Sequence, residues 1–519
     1  MKLPPRIWAI IRSRRTKYLV ACSPFLLVAL IALSFPISEW FGKRSAARFL
    51  ESLRDRGYAA MPEEYFSNDG DPERDVFHHP AMIADATKPQ IERLQYIEPP
   101  IPGLARRPPR CDRSFAKPTE IGALFDPPMA DEREAAQRML DAIRPQSARL
   151  DQVREAFKRP EAVWVVKWES PYLSAPDGAA MPIIVESHFQ LRKYADFAAS
   201  VALLHMGVRD AAAAAENIDT LFDLQRLFLD SKASVLSLHL FPVLLDQSTE
   251  LIWEGALRSL WNDAQLAEFE ERLRELDPQR LAVGVFKGEA ALLPAYMNLA
   301  MNLRREREDL FITKGWKADK KIIVARLRGI WRTARPSGFD ILGEVEAQRS
   351  VFEEGPLASG KPRQRFQPED MLRFRQLEED SPVALFADKN GSTSESRDSA
   401  AHGWTILKSA ATASLRAEAS IAVLRTGIAL ERYRLKHGGY PSTLQDLVPE
   451  YLFAPLTDPF DGKPLRYQRM PNGSPRVWSI DADLLDEGGL PHRDRVTKGD
   501  LVWITRPIPG FTRQDAVRR

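Results

Sequence analysis

The chain has 519 residues, too many for one ordinary hydrophobic core, so about two or three folded units are expected. Its 73 Lys and Arg residues nearly balance its 71 Asp and Glu residues. Net charge therefore indicates no particular partner, and we expect no nucleic-acid partner. The cysteines are limited to Cys22 and Cys111, which excludes a disulfide framework and a cysteine-based zinc site.

A basic leader over residues 1–17 precedes a predicted transmembrane signal anchor over residues 18–37. The run reads YLVACSPFLLVALIALSFPI, contains no charged residue and is long enough to cross a bilayer as a helix. Because cations precede it and Glu39 is the first acid after it, we expect the N-terminus to stay in the cytoplasm. This predicts a single-pass protein of the bacterial inner membrane whose bulk is extracytoplasmic. A cleaved signal peptide is the alternative, since residues 32–34 read Ala-Leu-Ser.

Residues 38–130 are predicted to be a proline-rich spacer. The part between Tyr96 and Ala130 contains eight prolines, including the pairs at 99–100, 108–109 and 127–128. Proline removes a backbone donor and fixes φ. We therefore expect a spacer or an extended, wrapping arm here, and no long helix.

A helical-hairpin domain is predicted over residues 131–386. Apolar residues recur at three- and four-residue steps, which is the period of amphipathic helices. Two long helices are expected to join at Met206–Arg209, with Gly207 at the turn and the alanines at 211–215 where helices approach closely. Further helices are predicted over 235–260, 263–275, 278–308 and 320–335.

The helix over 263–275 has the clearest sequence signals. Asp263 is expected to cap its N-terminus, because a short carboxylate accepts hydrogen bonds from free backbone N–H groups. Its apolar stripe is predicted to comprise Ala264, Leu266, Phe269 and Leu273.

The helical domain carries no recognisable catalytic motif. A glycine-rich phosphate loop, His-Glu-x-x-His and Gly-x-Ser-x-Gly are all absent from the sequence. We therefore expect a non-catalytic scaffold or interaction protein. The alternative is an envelope enzyme with a pocket in the helical bundle, which would require convergent buried polar groups in a deep cleft.

A small, polar and charged linker is predicted over 387–403, followed by a C-terminal domain over 404–519. Its long helix, from about Trp404 to Lys436, should stop at the glycines of His437-Gly438-Gly439. Ser442 and Gln445 suggest a capping box for a short helix, TLQDLVPEYL. Three strands, PLRYQRM, RVWSID and DLVWIT, should then form an antiparallel meander. The expected fold class is mainly α with a small α+β C-terminal domain.

Three stretches carry a family resemblance: ALERYRLKHGGYPSTLQDLVPEYL, DPFDGKPLRY and SIDADLLDEGG. Together they resemble the C-terminal head of the major pseudopilin of type II secretion, and uncharacterised planctomycete-type envelope proteins that end in such a head. The resemblance implies a docking module and a protein partner in the cell envelope. It does not imply polymerisation, because the Phe-Thr-Leu-Ile-Glu motif of pseudopilins is missing beside the membrane segment.

The resemblance also implies a calcium ion in the loop before the last strand. The candidate ligands are Asp483 and Asp486, with Asp481 and Glu487 nearby. Calcium is a hard cation that takes several oxygen ligands, which an acidic loop supplies. Leucines at 484–485 replace the glycine-containing turn usual in the family, so a solvated acidic turn is the alternative.

Overall fold

The computed structural model describes eleven stretches of the chain. They are residues 36–37, 40–59, 62–65, 71–86, 118–162, 185–230, 235–285, 287–288, 291, 395–490 and 499–506. The predicted membrane anchor over 18–37 lies outside these stretches except for its last two residues. None of the helices within them is both long and apolar enough to cross a membrane.

The described part is mainly helical, with a small antiparallel sheet near the C-terminus, which confirms the predicted class at this level. The helices are α1 (40–55), α2 (Pro62–Tyr65), α3 (Pro80–Ala86), α4 (Glu132–Ala142), α5 (Arg144–Phe157), α6 (Val185–Gly207), α7 (Ala211–Asp230), α8 (Val235–Leu257), α9 (Asp263–Glu275), α10 (278–285) and α11 (Glu395–His437). Short 3-10 turns cover Val76–His78, Gly122–Leu124 and Leu444–Leu447. The strands are β1 (Arg466–Arg469), β2 (Pro475–Ser479) and β3 (Leu501–Ile504), ordered β1-β2-β3.

The hairpin of α6 and α7 is confirmed, and α8 packs against both helices. Gly207 ends α6 at a point of close contact with neighbouring side chains. A Cβ there would lie 2.6 Å from Ile121 Cδ1 and 2.7 Å from Ala136 Cβ, too close for any larger residue. Ala214 of α7 is buried, as its small side chain predicted. The predicted helices over 278–308 and 320–335 lie largely or wholly outside the described residues.

The predicted spacer contributes to the hydrophobic core. Phe49 of α1, Met82 of α3 and the apolar side chains Ile121, Leu124 and Phe125 are all buried. The segment over 118–130 is thus an arm that wraps the helices. Residues 87–117, which carry most of the prolines, lie outside the described part.

The cap of α9 is one residue earlier than predicted. Asn262, not Asp263, is the N-cap: its Oδ1 accepts from the Gln265 N–H at 2.9 Å, and the Gln265 side chain accepts from the Asn262 N–H. Asp263 instead accepts from the Arg432 guanidinium of α11 at 2.8 Å. The stripe of Leu266, Phe269 and Leu273 is buried as predicted, whereas Ala264 is exposed.

Asp219 gives the helical region a pH dependence. Burial between α7 and α9 raises the pKa of Asp219 from 3.8 to about 6, against the opposing charge of Arg272. The folded state therefore holds this proton more tightly than the unfolded chain does. This contribution to stability is full below pH 3.8 and is lost as the pH rises through about 6. We expect the unfolding free energy to fall across that window.

Urea unfolding at pH values from 4 to 7 measures this effect. Asp219→Asn should flatten the slope in that window, because the amide does not titrate. Asp141→Asn, which changes an exposed acid of α4, should keep the wild-type slope. Identical slopes for Asp219→Asn and the wild type would contradict the assignment.

The long helix α11 begins at Glu395, inside the segment predicted as a linker over 387–403. Its predicted stop is confirmed: Gly438 has φ of 76° and its N–H donates to the Arg434 carbonyl at 2.8 Å. The left-handed backbone at Gly438 is the conformation that glycine adopts most easily.

The connection after α11 differs from its prediction in detail. The Asp446 carboxylate accepts from the Thr443 N–H at 2.9 Å, so the box lies one residue beyond the predicted Ser442 and Gln445. The helix that follows is a 3-10 turn of 4 residues, shorter than TLQDLVPEYL. The three-stranded meander is confirmed, with Tyr467 opposite Val477 and Val477 opposite Trp503.

The C-terminal part and the helical hairpins share one buried core. The Trp253 Nε1–H of α8 donates to the Ile504 carbonyl of β3 at 2.6 Å, in a fully buried contact. Gly427 of α11 lies against Trp503: a Cβ there would meet the indole at 2.4 Å. These contacts do not fit a head that unfolds independently of the hairpins.

Candidate functional site

The acidic loop, residues 481–490, follows β2 and leads toward β3. Asp481 and Leu484 have φ values of 54° and 60°, and Gly488 and Gly489 have 74° and 78°. Left-handed backbone favours glycine, so Leu484 holds a conformation that its side chain disfavours. Partial burial of Leu484 against the core offsets that cost.

Two of the four predicted ligands already have protein partners. The Arg416 guanidinium of α11 donates to Asp481 Oδ2 at 2.7 Å, which ties the loop to the long helix. Trp478 Nε1 and the Gly488 N–H each donate to Asp486 Oδ1 at 2.9 Å. Burial alone would raise the pKa of Asp486, but these hydrogen bonds lower it below its usual value. Asp481 and Asp486 therefore organise the loop.

The other two predicted ligands lie near a third acid, Asp500. The Asp483 carboxylate accepts from the N–H of Gly499 at 3.4 Å, beside Asp500 in sequence. Glu487 and Asp500 lie close enough to affect each other's protonation. Burial, followed by the charge of Asp483, raises the pKa of Glu487.

Asp500 is the most perturbed carboxyl of this group. It is 3% exposed, and its Oδ2 accepts from the N–H of Gly489 at 2.7 Å. Burial raises its pKa to about 7; the Gly489 N–H opposes this, while the charges of Glu487 and Asp486 add to it. Its Oδ1 and Glu487 Oε2 are both buried, and one proton held between the two carboxyls gives them a hydrogen bond to each other. A bound cation is the other way to satisfy two such oxygens.

The described residues nevertheless contain no group of three or more His, Cys, Asp or Glu side chains placed to hold a metal ion. The loop does supply carboxylate oxygens, which are ligands that calcium takes in proteins. Asp483 also has protein partners, since its two oxygens accept from the Leu485 N–H at 3.1 Å and from the Gly499 N–H at 3.4 Å.

Sequence reasoning missed Asp500. The predicted ligands cluster at the first end of the loop, whereas Asp500 immediately precedes β3. Adjacent antiparallel strands bring the two ends of their connecting loop together. An acid at the start of DLVWIT was therefore the available signal.

A second candidate feature is an exposed aromatic side chain. Phe453 is 83% exposed, and the Arg274 guanidinium of α9 lies 5.9 Å from its ring centroid. Phenylalanine and arginine are both enriched at protein–protein interfaces relative to the rest of the surface. The pair joins the C-terminal part to the helical hairpins, and neither residue was singled out from the sequence.

Two buried polar side chains of the hairpins, Glu254 and Gln225, bond to neighbouring elements. Glu254 Oε1 accepts from the Thr119 N–H at 2.8 Å and from Arg258 Nε at 2.7 Å. The Gln225 amide donates to Ser248 Oγ at 2.9 Å. These groups join helices and the wrapping arm, so their geometry favours a role in stability.

Comparison with models of protein families, with curated proteins and with solved structures gave no match for this chain.

Proposed function

We propose that the chain is a membrane-anchored scaffold of the bacterial envelope that holds a pseudopilin-like head in a fixed position. The observation that supports this most directly is the buried bond between Trp253 of α8 and Ile504 of β3. A second bond, from Ser414 Oγ of α11 to the Pro278 carbonyl at 3.0 Å, joins the same two parts. A rigid junction suits a protein that presents one surface to a partner, since less conformational entropy is lost on binding.

The partner surface in this proposal is centred on Phe453. An apolar ring exposed on a rigid support loses little entropy when a protein covers it. The adjacent Arg274 is held by Glu271, which keeps its guanidinium close to the ring. We propose an envelope protein with an apolar pocket bordered by carboxylates as the partner, because it would complement both groups.

Site-specific photocrosslinking in the native envelope tests this surface. A photoreactive phenylalanine at position 453 should give a discrete product with one partner. Arg274→Ala should weaken that product severalfold, because it removes the cation beside the ring.

Ile83 provides the matched control position, since it is an apolar residue, 50% exposed, in α3. A photoreactive residue there should give no such product. Equal products from positions 83 and 453, or none from 453, would contradict the proposed surface.

We further propose that the acidic loop binds calcium when the ion is present. The buried carboxyl oxygens of Glu487 and Asp500 support this, together with the mutual repulsion of the nearby carboxylates. Calcium would neutralise that repulsion and replace the proton held between the two carboxyls. Asp483, Glu487 and Asp500 are the proposed ligands, while Asp481 and Asp486 shape the loop.

Calcium is expected to raise the melting temperature of the full chain after prior chelation. A ligand that binds only the folded state stabilises it by about 2.7 kcal/mol at a hundredfold excess over its Kd. Asp483→Asn and Asp500→Asn should abolish the response. Magnesium should substitute poorly, because it requires stricter octahedral geometry.

Glu450→Gln serves as control, because Glu450 is an exposed acid of the same C-terminal part, paired with Lys436. It should keep the calcium response. If millimolar calcium does not change the melting temperature of the wild type, the loop is better described as a solvated acidic turn.

A further inference from the structure

Large apolar side chains are exposed at the start of α1 and just before it in the sequence. Ile37, Trp40 and Phe41 are 51%, 54% and 49% exposed. The Trp40 and Phe41 rings contact each other edge to face, with centroids 4.9 Å apart. The opposite side of the helix is anchored, since Phe49 and Leu53 are fully buried. The exposed rings are therefore held in place by a packed helix.

Cations accompany these rings. Arg44 places its guanidinium 5.1 Å from the centroid of the Trp40 ring, and Lys43 and Arg48 are also exposed. The sequence from Trp40 to Leu50 contains no acid. Aromatic rings beside basic groups are typical of the membrane–water interface, where rings sit at the headgroups and cations meet lipid phosphates. We call Ile37, Trp40, Phe41, Lys43 and Arg44 the juxtamembrane collar.

The position of the collar in the chain identifies what covers it. The uncharged run over 18–37 ends three residues before Trp40. Three residues span about 5 Å as a helix and at most about 10 Å when extended. The headgroup layer of each leaflet is about 5–8 Å thick. If the run crosses the bilayer, Trp40 and Phe41 therefore lie at headgroup depth.

We propose that the juxtamembrane collar lies in the phospholipid headgroup layer. Its rings then lie at the boundary between headgroups and acyl chains, and its cations contact lipid phosphates. This rests on the membrane anchor of the proposed function and adds an orientation to it. Because α1 packs into the core through Phe49 and Leu53, the collar sets which end of the fold faces the bilayer.

Tryptophan quenching in proteoliposomes tests the inference on the full chain. The vesicles contain phosphatidylcholine and phosphatidylglycerol, with or without lipids brominated near the headgroup. The difference in emission between the wild type and Trp40→Phe isolates Trp40. We expect bromolipid to remove most of that difference and aqueous iodide to leave most of it.

Phe453→Trp provides the control, because it puts a new indole at an exposed site remote in sequence from the anchor. Its added emission should be quenched by iodide and spared by bromolipid. Emission from Trp40 that is quenched by iodide and spared by bromolipid would overturn the collar.

Extraction with alkaline carbonate tests the membrane anchor separately from the juxtamembrane collar. Retention in the membrane together with iodide-accessible Trp40 would reject the collar alone. Release of the full chain by carbonate would reject the anchor, and the collar with it.

Discussion

Trp253→Ala is expected to destabilise the hairpins and the C-terminal sheet together, by about 3–5 kcal/mol. Trp253 is 1% exposed in α8, and its indole N–H donates to the Ile504 carbonyl of β3. The change leaves a large cavity and an unpaired carbonyl between the two parts. Hydrogen exchange by mass spectrometry should show protection falling in α6–α8 and in β2–β3 at the same denaturant concentration.

Trp253→Phe separates packing from hydrogen bonding. It keeps much of the apolar volume but removes the N–H, so a smaller loss of about 1–3 kcal/mol is expected. Loss of protection in the hairpins while β2 and β3 keep theirs would indicate two independent units, as the predicted linker implied.

Asp458→Ala is expected to cost about 3–5 kcal/mol, because it leaves several buried N–H and O–H donors without an acceptor, at about 1–3 kcal/mol each. Asp458 is fully buried and accepts from Arg466 at 2.6 Å and from the Ile480 N–H at 2.9 Å. Ser479 Oγ and the Phe460 N–H donate to its other oxygen. This single carboxylate thus joins the connection after α11 to the end of β2. Urea denaturation of the purified chain measures the loss.

Asp461→Ala is the matched control, since Asp461 pairs with the same Arg466 but retains contact with solvent. A loss of about 1 kcal/mol or less is expected. Equal losses for the two variants would show that burial of Asp458 adds nothing to its importance.

The elements that sequence predicted well depend on local signals. The α6–α7 hairpin follows from helical periodicity and a turn near Gly207, and the meander follows from alternation between turn residues. The predicted N-caps are each one residue away from the observed ones. Asn262 and Asp263 are similarly good capping residues, as are Ser442 and Thr443. Local propensity cannot decide between such neighbours; the packing of the next element does.

The contacts that sequence could not predict are distant in the chain. The family resemblance placed Asp481 near the predicted calcium ligands, yet Arg416 of α11 donates a hydrogen bond to it. The Trp253–Ile504 bond similarly joins residues 251 positions apart. Neither the charge pattern nor the hydrophobic periodicity of a sequence indicates which residues so far apart will contact each other. The predicted linker therefore marked a change in composition, while the core continues across it.

The bond from Ser414 to the Pro278 carbonyl has a topological consequence. The Gln279 amide of α10 likewise donates to Glu418 of α11 at 2.7 Å. These bonds fasten two helices at residues that stand 136 or more positions apart in the sequence. The entropic cost of closing a flexible chain segment rises by only about 0.6 kcal/mol per doubling of its length. The stability of this junction is therefore expected to depend on its own contacts much more than on the number of residues between the two helices.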